Sequence, residues 1–525
     1  MNRLALLVIF NIFHLCSFSQ IPTNGLDVQH YRFELVLNDN DNNIKGQAYI
    51  TIKFTKPVKE VSLDLAQKLV GKGMTVLEVK KNNKVVSFTQ TEQKLVIQDA
   101  ATTTDENTYS IAYEGVPADG LIISTTRNNN RTFFADNWPN RAHQWIPCND
   151  HPSDKASLEF VITAPAHYQV VANGVQVEET SLPGQLKLTH YKEDVPLPTK
   201  VMCIGVADFA VNYVGNTDCI PVYSWIFTED RDNGFKGYAQ AKDILQWYIK
   251  KVGPYPYQKL ANVQSKTTFG GLENASAIFY FEASVEDPKL EGLIAHEIAH
   301  QWFGNSASEK DWRDLWLSEG FVTFMTNVYH EEKYGVDSLE NRLAEDRTKI
   351  VAFSKRRFTP VSDSTASNNL MLLLNDNSYA KGGWVLHMLR RKIGDSAFWQ
   401  GLRSYYKTFA GSNATSNDVK NAFEKSSKQD LDLFFKQWIH TSGQPMLEVK
   451  WNYEKDKKQV KLVITQQQQF VFSFPLDIQA GKLVKTFNIK DKVTTVTLPV
   501  TEKPLAILLD PKVNLLFDAS VKESN

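Results

Sequence analysis

At 525 residues the chain exceeds what one hydrophobic core can hold, so roughly two to four domains are expected. With 42% apolar and 22% charged residues it is ordinary globular protein and not a disordered chain. Its 58 basic residues are matched by 59 acidic ones, a formal charge of −1, so nothing in the balance supports a nucleic-acid footprint, and runs such as Lys355-Arg356-Arg357 read as solvated faces.

Residues 1–20 carry Arg3, an apolar stretch from Leu4 to about Phe13 and small residues at Ser17 and Ser19. That is the pattern of a secretory signal, so export to the periplasm or the extracellular space is expected. The apolar run is short for a stable membrane span, and Leu15 before Cys16 is too large for a lipoprotein cleavage site. Beyond it stand Cys148, Cys203 and Cys219. Buried free thiols are expected, with Cys203 and Cys219 the candidates should a disulfide form.

Residues 21–212 show short β-type runs between turns, at 31–37, 48–54, 61–65, 94–98, 109–113, 157–162, 169–172 and 200–206, and predict an antiparallel β domain. The period then changes. Residues 236–252 space Tyr238, Ala241, Leu245 and Tyr248 at helical intervals, GPYPY breaks the chain, and a strand follows at 259–264. Helical patterns return at 322–334, 338–353, 384–393, 395–409, 417–423 and 432–440, so residues 213–443 predict one α-rich domain with a small sheet. From 444 to 525 alternating β patterns resume and predict a small β-sandwich. The fold class is therefore multidomain α+β.

Within the α-rich region HEIAH places His296 and His300 at i and i+4, on one face of a helix, where they can hold zinc between them. Glu297 is then placed to deprotonate a water on the metal, which ionises near pH ~7. Glu319, in WLSEGF on the next helix, makes a third ligand and leaves a fourth position open, as in catalytic zinc sites. Two surface histidines on a helix are the plain alternative, and the glutamate at a return distance argues against it.

HEIAHQWFGN followed by WLSEGF resembles the M1 family of zinc aminopeptidases, a gluzincin group. FGGLEN, Phe269 to Asn274, is similar to its GxMEN exopeptidase signature, with Leu272 in place of methionine, and SYAKGG, Ser378 to Gly383, to its tyrosine motif. The resemblance implies an N-terminal β domain, a thermolysin-like catalytic domain and one Zn²⁺. It also implies peptide substrates with a free N-terminus. Glu273 would hold the α-ammonium, Gly270 and Gly271 would let the substrate backbone approach, and Tyr379 would donate to the oxyanion. The strand before FGGLEN would be the sheet edge that pairs with the peptide.

Where the family usually has a glutamine in the amino-terminal pocket this chain has Trp138; whether Trp138 or Asp136 replaces that wall is open, and Trp138 reads equally well as core. The large C-terminal helical domain of many M1 relatives is expected to be missing, leaving a more open site. A thermolysin-like endopeptidase and a non-catalytic peptide-binding scaffold remain as alternatives, and epoxide hydrolysis, found in one branch of the family, stays open.

Overall fold

The computed structural model describes residues 25–366 and 368–524; the export signal read at residues 1–20 lies outside them. The first domain is β-rich. Its main sheet has eight strands, in the order Val175–Leu182, Leu186–Leu197, Ala156–Pro165, Leu26–Val36, Ile44–Phe54, Glu106–Val116, Gly73–Lys81 and Lys84–Val85. Neighbours are antiparallel except Leu26–Val36 with Ala156–Pro165, which run parallel with His30 opposite Ser157. Along Leu26–Val36 every second residue from Tyr31 to Leu35 is buried, the period-2 pattern that turns one face to a core. A four-stranded and a three-stranded sheet close that core.

The second, α-rich region begins with a five-stranded mixed sheet in the order Phe209–Thr217, Ile220–Phe227, Leu260–Gln264, Ala277–Tyr280 and Gly271–Leu272. The strand ahead of FGGLEN is not the edge that the resemblance implied. Leu260–Gln264 is buried throughout and pairs in parallel on both sides, because all five of its side chains go into core. The edge is Gly271–Leu272 itself, antiparallel to Ala277–Tyr280.

Nine helices are described in this domain: α1 (Arg231–Tyr238), α2 (Ala241–Lys251), α3 (Leu290–His300), α4 (Trp316–Tyr334), α5 (Val336–Arg356), α6 (Gly382–Ile393), α7 (Asp395–Phe409), α8 (Ser416–Ser427) and α9 (Asp432–Trp438). The single helix expected over 236–252 is two, with the chain turning where Lys242 N donates to Ala239 O. Buried tryptophans lock the layers: Trp302 follows α3, Trp316 opens α4 and Trp384 sits in α6, and each indole N–H finds an acceptor, on Pro254 O, Ser416 Oγ and Leu343 O. Helices α4 and α6 meet backbone to backbone, since a Cβ on Gly320 would stand 2.8 Å from the Gly382 Cα. Any larger residue there would push α4 away from α6 and shift Glu319 beside it.

The C-terminal strands form a four-stranded sheet and a three-stranded sheet. The last strand, Asp518–Glu523, pairs in parallel with Met446–Glu454 and escaped the periodicity because its side chains are almost all exposed. Cys148, Cys203 and Cys219 are all free thiols, the first two buried. No helix among the described residues is long and apolar enough to cross a membrane.

Candidate zinc and peptide site

Helices α3 and α4 bring His296, His300 and Glu319 to one point. His296 Nε2 lies 3.5 Å and His300 Nε2 3.4 Å from Glu319 Oε2. Two donors on a tetrahedral ion with bonds of about 2.0–2.1 Å stand roughly 3.3 Å apart, so the spacing is that of ligands around a zinc ion and too long for hydrogen bonds. Glu319 Oε2 is buried and has no hydrogen-bond partner, which leaves a lone pair aimed at the gap.

The outer partners set the tautomer. His300 Nδ1 lies 3.2 Å from Phe303 O, an atom that can only accept, so the Nδ1 proton points there and Nε2 keeps its lone pair for the metal. Ser318 Oγ also lies 3.2 Å from that nitrogen.

The electrostatics call for a cation. Burial lowers the proton affinity of His300, but Glu319, Glu273 and Glu297 outweigh it and push the pKa up to about 9. Burial raises Glu319, yet His300 and His296 hold its carboxyl well below the usual carboxylate range. His296 is lowered, chiefly by burial, as suits a neutral imidazole ligand. Without the metal a proton on His300 balances the carboxylates; zinc takes that place and displaces it. The donor set, two imidazoles and one carboxylate with an open side, fits zinc.

Glu297, one residue on from His296, is buried and faces the Gly271 backbone. A Cβ on Gly271 would stand 2.3 Å from Glu297 Oε1, so glycine at 271 makes room for this carboxylate. Gly270 has no such constraint, its nearest contact being Leu293 Cδ1 at 3.9 Å. Burial raises the Glu297 pKa well above its ordinary value; His300 opposes this while Glu273 and Glu319 add to it.

Tyr379 stands in a π-helical turn, Asn377–Lys381, in which Lys381 N reaches back to Asp376 O. Its ring stacks on His296 at 6.1 Å between centroids. Burial raises its pKa well above 10, so the hydroxyl keeps its proton and can donate.

Glu273 is 6% exposed, and its Oε1 is buried with no partner. What fixes it was not read in the sequence. Gln301 Nε2 donates to its carbonyl at 2.9 Å and Asn305 Nδ2 at 2.6 Å, while Gln301 Oε1 accepts from Ser276 N at 2.8 Å. Both amides lie in HEIAHQWFGN, so the helix α3 and the turn after it clamp the backbone at Glu273.

Trp138 does not line the cleft. It is buried, edge-on to Phe269 and Trp312 at 6.3 and 5.8 Å, and acts as backing for Phe269, which does line it. Asp136 is fully buried, paired with Arg141 and within 3.4 Å of Thr267 Oγ1, so its charge is already met. Glu273, His296, Glu297, His300, Glu319 and Tyr379 share one cleft of about 810 Å³.

Comparison with known proteins agrees with this geometry. The Peptidase M1 N-terminal domain matches residues 27–201 and the Peptidase family M1 domain residues 237–438. The chain is 25% identical over 504 residues to Probable aminopeptidase 2 of Sulfurisphaera tokodaii, covering 91% of this chain and 62% of that protein. It is 24% identical over 490 residues to Leucyl aminopeptidase of Saccharolobus solfataricus, covering 88% and 59%. It thus spans about three fifths of the length of these curated relatives. In fold it is similar to aminopeptidase A of Legionella pneumophila, crystallised with aspartic acid, at a TM-score of 0.82 with 18% identity over 95% of this chain and 60% of that one. It is also similar to the M1 zinc metallopeptidase of Deinococcus radiodurans, at 0.70 with 24% identity over 81% and 96%. With its β-rich first domain and its zinc-helix domain each matched by a model of the same family, the chain belongs to peptidase family M1.

Proposed function

We propose that the chain is a zinc-dependent aminopeptidase that hydrolyses the first peptide bond of peptides with a free N-terminus. The observation that carries this reading is the unpartnered carboxylate oxygen of Glu273, buried in the same cleft as the three zinc donors. A buried carboxylate without a partner is costly, and a substrate α-ammonium supplies the missing charge and its hydrogen bonds.

In this account His296, His300 and Glu319 hold the ion. Zinc, when bound, supplies a Lewis acid that polarises the scissile carbonyl and lowers the pKa of water from 15.7 toward about 7. The chain's own residues do the rest. The free edge at Gly271–Leu272 aligns the peptide backbone, and Glu273 sets the register by gripping the amine. Glu297 takes the proton of the attacking water and passes it to the leaving nitrogen. The Tyr379 hydroxyl donates to the oxygen on which negative charge develops. Export of the chain, supported by the pattern of residues 1–20, belongs to the same proposal.

Aminoacyl-amide reporters and their N-acetylated forms test the reading. Acetylation removes the charge that Glu273 needs, so kcat/KM is expected to fall by at least about 10–100-fold. Equal turnover of both forms, together with internal cleavage of a blocked protein, would make the enzyme an endopeptidase. Failure to bind zinc would leave the scaffold reading.

A further inference from the structure

The seam between the N-terminal β domain and the α-rich domain closes on one lysine. Lys155 stands just ahead of the strand Ala156–Pro165 of the first domain, and its Nζ donates to three backbone carbonyls of the second: Asn305 O at 3.0 Å, Ser306 O at 2.7 Å and Ser412 O at 2.8 Å. Three N–H groups meet three acceptors, the full complement of an ammonium. Glu309, the acid whose charge favours the ammonium, accepts from Lys200 Nζ at 2.6 Å. Burial lowers the Lys155 pKa to about 7, with Lys200 adding to this and Glu309 opposing it, so the group is held in the seam by its carbonyls and not by an ion pair.

Two of those carbonyls belong to the turn that follows α3. There Asn305 N returns to His300 O at 3.1 Å and Ala307 N to Trp302 O at 2.9 Å. Asn305 makes two contacts outside this turn. Its carbonyl takes the Lys155 ammonium, and its Nδ2 donates to the carbonyl of Glu273 at 2.6 Å. Gln301 holds the same Glu273 carbonyl from the end of α3, so Asn305 is the half of the clamp whose own backbone hangs on the first domain. The seam is closed a second time beside Ser412, where Asn413 Nδ2 donates to Pro152 O at 2.7 Å.

We propose that Lys155 is a positioning residue for amine recognition: from the N-terminal domain it fixes Asn305, and through Asn305 the backbone from which the Glu273 carboxylate reaches the substrate ammonium. Lys155 is not among the residues that line the cleft, so it acts through that link alone. A remote change that misplaces a binding group by about 1 Å can cost up to ~10²-fold. The proposal rests on the aminopeptidase reading above and adds to it that the first domain sets how tightly the amine is held.

The test uses the zinc-loaded full chain and two ligands that differ only in the amine, leucine hydroxamate and 4-methylpentanoic hydroxamate, with dissociation constants measured by calorimetry. Both bind zinc through the hydroxamate, so the ratio of their constants reads the amine contact. In wild-type protein the amine is expected to tighten binding by about 10–100-fold. In Lys155→Met, which keeps the length of the side chain and loses the donors, that ratio should fall by about 10-fold, and KM for an aminoacyl-amide reporter should rise by more than kcat falls. Lys155→Arg keeps a cation but cannot aim three bonds from one nitrogen, and its ratio should lie between the two. Asn305→Ala should lower the ratio by itself, and adding Lys155→Met to it should lower it little further, since both act through one link.

Each ratio is taken within one variant, so weaker zinc binding or partial unfolding moves both ligands together and does not imitate the effect. If Lys155→Met fails to fold, Lys155→Arg decides by the same ratio. A ratio that keeps its wild-type value in the folded variant, or two losses that multiply in the double variant, overturns the proposal. A ratio near one in the wild-type protein sinks the aminopeptidase reading instead, so the two failures are distinct.

Discussion

Replacing Glu297 with glutamine is expected to lower kcat by ~10²–10⁴-fold with one zinc still bound per chain. The amide has the volume of the carboxylate and keeps its place beside Gly271, where a Cβ would stand only 2.3 Å from Oε1, so the packing of α3 against the edge strand is unchanged. What disappears is the ability to take a proton from water and return it to the leaving amine. Kinetics with metal analysis on the same sample check this. Loss of zinc from this variant would mean that Glu297 is a ligand and that base and ligand were exchanged in the account.

The same isosteric change at Glu319 should do the opposite to the metal. Glu319→Gln removes the charge that His300 and His296 compensate, and zinc affinity is expected to fall by more than the ~10–100-fold that follows loss of an outer partner of a zinc ligand. Activity should vanish with the metal, and the zinc-free variant should also unfold at a lower temperature near neutral pH, because the buried His300–Glu319 pair that forms without the metal is lost. Competition with a chelator of known affinity measures the change. Zinc retained at wild-type affinity in Glu319→Gln would remove that residue from the site. Together the two glutamines separate the donor trio His296, His300 and Glu319 from the other cluster in the same cleft, Glu273, Glu297 and His300.

Much of the site was legible because its parts are local. His296 and His300 are one helical turn apart, Glu297 follows the first, and the glutamate of FGGLEN stands 23 residues before His296. Periodicity likewise found the three-part α+β architecture, since alternating and helical patterns follow one another in blocks. The remainder depends on packing between distant segments. Gln301 and Asn305 read as polar residues at the end of a helix, and only the fold aims both amides at the carbonyl of Glu273. The edge strand was misplaced for a similar reason. Leu260–Gln264 has the β-forming pattern, but its side chains are all buried and the polar ones, Asn262 and Gln264, find partners inside, so it lies within the sheet, and the two-residue edge at Gly271–Leu272 is too short to announce itself. Of the two readings open for Trp138, pocket wall or core, the fold gives core, one layer behind Phe269.

The position of the ion is the most direct measure of the whole account. Crystals of the Glu297→Gln protein grown with zinc and a short peptide should give an anomalous peak at the zinc edge bonded to His296 Nε2, His300 Nε2 and Glu319, with the peptide's amine on Glu273. A peak that sits among Glu273, Glu297 and His300, or no peak in the cleft with zinc in excess, would contradict it.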